Sequence, residues 1–245
     1  MSFFTHFGRY VLLLKSLFVR PEKTSIYWRE IARQMVEIGV GSVGIVVIVS
    51  VFLGAVVTVQ TAYQLTTPLI SKSIIGSIAA NSIILELAPT VTVLILAGKI
   101  GSKIASELGT MRISEQIDAL EIMGVHSSAY LVLPKILAST LMIPLLVIIS
   151  AFLSIYAGMW VGEFTGVVSK EDFMTGAIQY WIPFMANFAL IKATTFGFII
   201  SSVSAYFGYY TEGGSLEVGH SATRSVVVCC VLILLFDYIL AQLLL

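Results

Sequence analysis

Long stretches of apolar residues alternate along the chain with short segments that carry the charges. Residues 38–71 and 136–162 contain no charged residue, and the stretches 73–98, 173–211 and 225–245 contain one each. A bilayer core about 30 Å thick is spanned by roughly 20 residues of helix. Because backbone groups in lipid must bond within their own segment, each stretch is predicted to be a transmembrane helix. Five spans are the simplest count.

The stretch at 173–211 admits two interpretations because it is long enough for two short spans that turn at Lys192. Residues 189–196 contain no Gly, Pro, Asn or Asp, the residues that tight turns use. One long helix with Pro183 near its start is therefore the favoured prediction.

Composition and charge agree with a membrane protein. The 245 residues are 58% apolar and 11% charged, whereas a soluble domain has about 25% charged residues. The net charge is zero, so no basic field indicates a nucleic-acid partner. Eleven of the fourteen Lys and Arg residues lie in residues 1–36, between the second and third stretches, or beside the fifth. The positive-inside rule then predicts a cytoplasmic N-terminus and, with five spans, an external C-terminus.

Residues 1–36 are predicted to form a cytoplasmic and interfacial segment. Apolar side chains recur at 3–4 residue spacing through residues 3–17, while His6 and Arg9 fall on another face, and Pro21 follows. This pattern is typical of an amphipathic helix that lies on a membrane surface. A merely hydrophobic terminus is the alternative.

A short acidic helix is predicted between the second and third spans. Ser114 suits an N-cap, Gly124 suits the position after the helix end, and residues 115–123 carry acids at every third position. A capped acidic helix between two membrane spans indicates a docking element for a cytoplasmic partner. A solvated loop helix is the equally weighted alternative.

Two blocks of sequence carry a family resemblance. The first reads ELAPTVTVLILAGK at 86–99, GSKIASELGTM at 101–111 and SEQIDALEIMGV at 114–125, and the second reads GGSLEVG at 213–219. Together they resemble the signatures of the MlaE/YrbE permeases, the membrane subunits of MCE-associated lipid ABC transporters. The resemblance covers residues 27–243. Leu85 and Ala88 depart from the family pattern, which commonly has a basic residue and a glycine there.

The resemblance implies an all-α integral membrane protein with an N-terminal interfacial helix, five transmembrane helices and a cytoplasmic coupling helix at about 106–124. Residues 37–245 would form the permease domain. It further implies a homodimer that moves phospholipid, an ABC ATPase, an MCE-domain protein and a small STAS-type subunit as partners, and a bacterial inner membrane with the C-terminus in the periplasm. The candidate ATPase-coupling residues are Glu107, Met111, Glu115, Asp118, Leu120 and Glu121.

The chain is not expected to be an enzyme or to bind a cofactor. It contains no G-x-x-x-x-G-K-[ST] phosphate-binding motif, so ATP and Mg²⁺ would be bound by the partner ATPase. His6, His126 and His220 are widely separated, and no catalytic or metal site is predicted.

Three ionisable residues fall inside predicted spans: Glu86, Lys192 and Asp237. Such residues are costly in lipid and are functional candidates by default. A structural ion-pair cluster and a polar layer near the lipid cavity, with Lys192 contacting a head group, both remain open. Gln60 and Tyr63 end the first span and are either interface anchors or cavity residues. An ion- or proton-coupled carrier that uses the three charges is the alternative function.

Gly158, Gly162 and Gly166 form a small-residue stripe at four-residue spacing. Such stripes let helices approach closely in membranes. The stripe is therefore predicted to serve helix packing, either within one chain or across a dimer.

Overall fold

The computed structural model describes residues 3–17, 24–65, 71–179 and 181–244. Within these residues the chain forms helices and no strand, which confirms the all-α class. Five helical stretches are long and apolar enough to cross a membrane, as predicted: Tyr27–Gln64, Ser73–Ile113, Ser127–Phe164, Pro183–Tyr209 and Ser215–Leu244. The fourth runs unbroken through Lys192, so the single-helix interpretation is confirmed.

The α-helices in chain order are α1 (Phe3–Ser16), α2 (Thr24–Met35), α3 (Gly41–Gln64), α4 (Ser73–Ser82), α5 (Thr92–Leu96), α6 (Ser102–Ile113), α7 (Gln116–Ile122), α8 (Ser127–Phe164), α9 (Lys170–Gln179), α10 (Pro183–Tyr209) and α11 (Ser215–Leu244). Three π-helical segments join neighbouring helices without a break: Val36–Val40, Ile83–Val91 and Ala97–Gly101. The second and third of these make one continuous stretch of α4, α5 and α6.

The helix ends near the coupling segment follow local sequence signals only in part. Gly124 follows α7 with a φ of 82°, a left-handed conformation that glycine adopts without strain. Ser114 is not the N-cap, which corrects the prediction. Its hydroxyl donates to the carbonyl of Thr110 at the end of α6, and Glu115 takes the N-cap position with a φ of 58°.

The described residues divide into two compact units. The first comprises Met1–Gly41, Leu94–Met142 and Thr195–Ile239, and the second comprises Ser42–Val93, Ile143–Thr194 and Leu240–Leu245. Several helices contribute residues to both units, since the divisions fall inside the long membrane stretches.

In the first unit, α1 is fastened along one face to α10 and α8. His6 shares a 2.7 Å hydrogen bond with the hydroxyl of Tyr206, and Tyr10 shares a 2.9 Å bond with Ser202. Ser16 donates to Ser128 on α8 at 3.0 Å. The face of α1 that carries His6, which the sequence predicts to be polar, is thus turned toward the protein. The apolar side chains left exposed on α1 are Phe4, Phe7, Val11 and Leu12.

The fastening of α1 leaves an apolar outer face that suits a membrane surface. Burial raises the pKa of the Tyr10 hydroxyl. Pro21, the predicted end of the amphipathic helix, lies outside the described residues.

In the second unit, small residues bring helix backbones into direct contact. A methyl group on Gly54 would lie 1.8 Å from the carbonyl oxygen of Ser154, and one on Gly158 would lie 2.3 Å from the hydroxyl of Thr58. Helices α3 and α8 therefore touch through glycine. A core made from α3, α4, α8, α9 and the loop before α9 surrounds this contact: Ala62, Ile75, Ala79, Met159, Val168 and Phe173.

The predicted glycine stripe is used at two of its three positions within this unit. Gly158 meets Thr58, and Gly162 meets Val168 as well as Thr58. Gly166 instead lies beyond the end of α8 with a φ of 70°, so it serves the turn toward α9 rather than helix packing.

The contact at Gly54 predicts a sharp loss of stability on adding one methyl group. Gly54→Ala should lower the melting temperature of the detergent-purified protein, because overpacking costs about 1–3 kcal/mol. Gly44→Ala on the same helix is the matched control, since nothing lies within 4 Å of its added methyl. Equal melting of the two variants would contradict the close contact between α3 and α8.

Candidate functional site

The π-helical segment Ile83–Val91 contains a proline inside a membrane helix. Pro89 has no N–H to donate to the carbonyl of Leu85, four residues before it, and its ring crowds that carbonyl. The backbone has π geometry through this segment, in which N–H groups bond carbonyls five residues back. The Leu85 carbonyl also accepts a bond from the side chain of Lys192 on α10, at 3.3 Å.

Lys192 is the centre of an ion pair in the second unit. Its ammonium lies 2.7 Å from a carboxylate oxygen of Glu86 and 4.9 Å from the centre of the Phe188 ring. The Lys192 side chain is 0% exposed, whereas the Glu86 side chain is 43% exposed. The Lys192 ammonium is therefore enclosed by the protein, whereas the Glu86 carboxylate is partly exposed.

The unequal exposure changes which of the two charges a ligand meets first. A head group reaches Lys192 only after the pair separates, because the ammonium is enclosed on every side. The Glu86 carboxylate is accessible as the structure stands. The sequence hypothesis of a head-group contact through Lys192 therefore requires a movement, whereas a contact with Glu86 does not.

The other candidate cavity residues lie on two different helices. Gln60 and Tyr63, three residues apart at the end of α3 in the second unit, are both exposed on one helix face. Asp237 is half-buried near the end of α11 and belongs to the first unit. Of the three intramembrane charges, the structure joins Glu86 with Lys192.

The predicted coupling helix, α7, is held to its neighbours by its own acids. Arg112 at the end of α6 donates to Asp118 at 2.6 Å. The hydroxyls of Ser127 on α8 and Tyr209 on α10 both donate to Glu121, at 2.7 and 3.1 Å. The fully buried Ile117 adds an apolar anchor. These carboxylates position the helix, so they are not simply free acids presented to a partner.

Glu107 also has a partner within the chain. Its carboxylate lies 2.7 Å from the ammonium of Lys135 on α8, whose side chain is only 4% exposed. Met111 and Leu120 are half-buried, and Glu115 is exposed at the left-handed turn before α7. Among the predicted coupling residues, Glu115 is thus the acid that the structure leaves most open.

The exposed tip of α7 was missed by sequence reasoning. Ile122 is 87% exposed and Met123 is 68% exposed, directly before the turn at Gly124. The signal was present: on a helix, Ile122 lies about 140° around the axis from the buried Ile117. Two apolar side chains on an exposed face are typical of a contact surface.

Comparison with known proteins gives a consistent result. The family described as Permease MlaE matches residues 31–243. The "Probable ABC transporter permease protein" of Rickettsia bellii is 36% identical over 225 residues, covering 92% of this chain and 85% of the relative. A similarly named protein of Rickettsia prowazekii is 36% identical over 90% of this chain and 85% of its own. The protein TRIGALACTOSYLDIACYLGLYCEROL 1 of Arabidopsis thaliana is 33% identical over 91% of this chain and 64% of its own.

The ion pair predicts an asymmetric response to single and double substitution. Glu86→Gln should lower the unfolding free energy by about 2 kcal/mol or more, because it leaves a buried ammonium without its carboxylate. The double variant Glu86→Gln/Lys192→Met should recover most of that loss, since no buried charge remains. Thermal melting of the purified protein measures both, and an unchanged melting temperature for Glu86→Gln would contradict a stabilising pair.

Proposed function

From its membership of the MlaE permease family, which makes the chain a membrane permease of an ABC transporter, we propose that its cargo is phospholipid or a related lipid. The permease itself does no covalent chemistry, and ATP with Mg²⁺ acts in a separate ATPase subunit. The lipid passes to or from an MCE-domain partner and serves the lipid balance of an outer membrane.

The observation that carries the lipid assignment is the half-open ion pair of Glu86 and Lys192. A charge inside a membrane span is expensive, so its retention favours a role in handling a polar group at that depth. A phospholipid head group carries a phosphate that an ammonium can bind and, in aminophospholipids, an ammonium that a carboxylate can bind. Further support comes from the name of the Arabidopsis relative, which is that of a lipid.

The coupling of ATP hydrolysis to lipid movement is assigned to α7. The apolar tip at Ile122 and Met123 would enter a groove of the ATPase, while Asp118 and Glu121 hold the helix to α6, α8 and α10. A displacement of the ATPase then moves α7 together with the helices to which it is bonded. Movement of the ATPase therefore displaces the membrane helices, which a flexible loop in the place of α7 would not do.

The assembly proposed is a homodimer of this permease with two ATPase subunits, an MCE-domain protein and a small STAS-type subunit. It resides in a bacterial inner membrane with the N-terminus in the cytoplasm and the C-terminus in the periplasm. The uneven distribution of Lys and Arg supports this orientation.

The lipid assignment is tested with the complete complex in lipid vesicles. Lys192→Ala should abolish ATP-dependent transfer of a labelled phospholipid while the complex still assembles, because the Glu86 carboxylate that remains is already half exposed. The matched control is Lys170→Ala in the same unit, on α9. Loss of the assembled complex in Lys192→Ala would instead assign a structural role, and transfer without any ATPase would favour the ion-coupled carrier.

The coupling assignment is tested by co-purification. Ile122→Asp should reduce the amount of ATPase recovered with the permease by about tenfold or more, since a buried carboxylate would replace an apolar contact. Leu216→Asp at the start of α11 is the control, because Leu216 is similarly exposed at 81%. A loss confined to Leu216→Asp would place the ATPase contact at the loop before α11 instead.

A further inference from the structure

A polar cavity of about 200 Å³ lies in the first unit between α1, the end of α10 and the start of α11. Its lining includes two cations, Arg9 and Arg224, and two acids, Glu212 and Glu217. His6 and Ser221 add further hydrogen-bonding groups. None of these residues belongs to the ion pair or to the coupling helix described above.

The four charged side chains that line the cavity do not pair with one another. Within the residues that the structure describes, Arg9, Arg224, Glu212 and Glu217 take part in no salt bridge. The Arg9 guanidinium instead lies 5.9 Å from the centre of the Tyr210 ring. Charges of both signs around one cavity, without mutual pairing, suit a ligand that itself carries both signs.

The surroundings of the cavity indicate where such a ligand comes from. Arg9 and His6 lie on α1, whose opposite, outward face exposes Phe4, Phe7 and Leu12. A helix with that apolar face lies at the boundary between head groups and acyl chains. Side chains on its inner face are consequently at the depth of phospholipid head groups.

We propose that this cavity binds the head group of an aminophospholipid of the surrounding leaflet, such as phosphatidylethanolamine. Its phosphate is held by Arg9 and Arg224, and its ammonium donates to Glu212 and Glu217. Guanidinium groups bind phosphate oxygens with charge-assisted hydrogen bonds, and carboxylates accept from ammonium in the same manner. The volume equals that of about seven water molecules, which is enough for a small head group.

This site is separate from cargo handling and does not rest on the cargo being lipid. A lipid bound there would fasten α1 and the loop before α11 to the membrane. The choline head group offers no N–H donor to Glu212 or Glu217, and phosphatidylglycerol offers no cation. Discrimination among the three lipids is therefore a direct consequence of the proposed contacts.

The experiment uses the complete complex in nanodiscs of phosphatidylcholine that contain a trace of photoactivatable lipid with its reactive group beside the phosphate. Ethanolamine, choline and glycerol versions are compared, and the labelled peptides are located by mass spectrometry. The ethanolamine lipid should label peptides within residues 206–224 about tenfold more than the choline lipid does, the difference expected from charged hydrogen bonds.

Two pairs of substitutions separate the two halves of the contact. Arg9→Gln/Arg224→Gln should reduce labelling at residues 206–224 about tenfold for all three lipids. Glu212→Gln/Glu217→Gln should retain labelling but abolish the preference for ethanolamine over choline. Arg29→Gln, an exposed arginine on α2 outside the cavity, is the control and should change neither.

Several outcomes would overturn the proposal. Equal labelling by the three lipids in the unsubstituted complex would do so, as would labelling that the arginine pair leaves unchanged. Loss of ATPase from the arginine variant with unaltered lipid labelling would assign the cavity to a protein contact. If the arginine variant does not assemble, the glutamate pair decides the question alone. Labelling near Glu86 reports on the cargo site and is scored separately.

Discussion

The lack of water in a bilayer core is the constraint on which this structure depends. Every backbone polar group in that region must find a partner within the protein. Many hydroxyl groups bond the carbonyl one turn back, as Ser50 does with Val46 at 2.6 Å and Thr61 with Val57 at 2.8 Å, whereas the buried hydroxyls of Ser42, Thr58 and Ser154 have no hydrogen-bond partner among the described residues. The same requirement favours the long helices that the structure shows in the described parts of the apolar stretches.

The ion pair follows from the same constraint. Pro89 has no N–H to donate and lies in a π-helical segment, where the carbonyl of Leu85 and the carboxylate of Glu86 both accept from Lys192. A single buried ammonium is thus bonded to a backbone carbonyl and to a carboxylate. Because one member of the pair stays half exposed, the arrangement is also accessible to a polar ligand. The arrangement therefore gives structural support and, under the proposed function, a contact for a lipid head group.

The predicted coupling helix, α7, is also held by side-chain bonds. Its acids were expected to face a partner, but Asp118 and Glu121 bond to Arg112, Ser127 and Tyr209. A helix of seven residues has little stability of its own. Forming its first turn costs conformational free energy, and so short a helix makes too few hydrogen bonds to offset that cost. Side-chain hydrogen bonds to α6, α8 and α10 provide the stability that its backbone hydrogen bonds alone do not. The face that remains for a partner is then the apolar tip at Ile122 and Met123.

Sequence reasoning predicted the elements well and their side-chain contacts poorly. The five spans, the unbroken helix through Lys192 and the turn at Gly124 depend on local composition and periodicity, so they could be found without a structure. The pairing of Glu107 with Lys135, or of Glu86 with Lys192, joins residues far apart in the chain, and several alternative pairings satisfy the same composition. The sequence likewise could not show that His6 and Tyr10 of α1 bond to α10, because these partners are about 200 residues away along the chain.

By itself the sequence determined that this chain is a helical membrane protein with five spans and a permease family signature, because hydrophobic length and motif order are properties of the linear chain. The tertiary structure alone decided which charges are paired, which carboxylates hold the coupling helix, and which cations and acids line the cavity beside α1. The physical reason is that burial and hydrogen bonding depend on distances across helices. Helix packing sets these distances. At Gly54 the packing is so close that one added methyl group would collide with the backbone of Ser154.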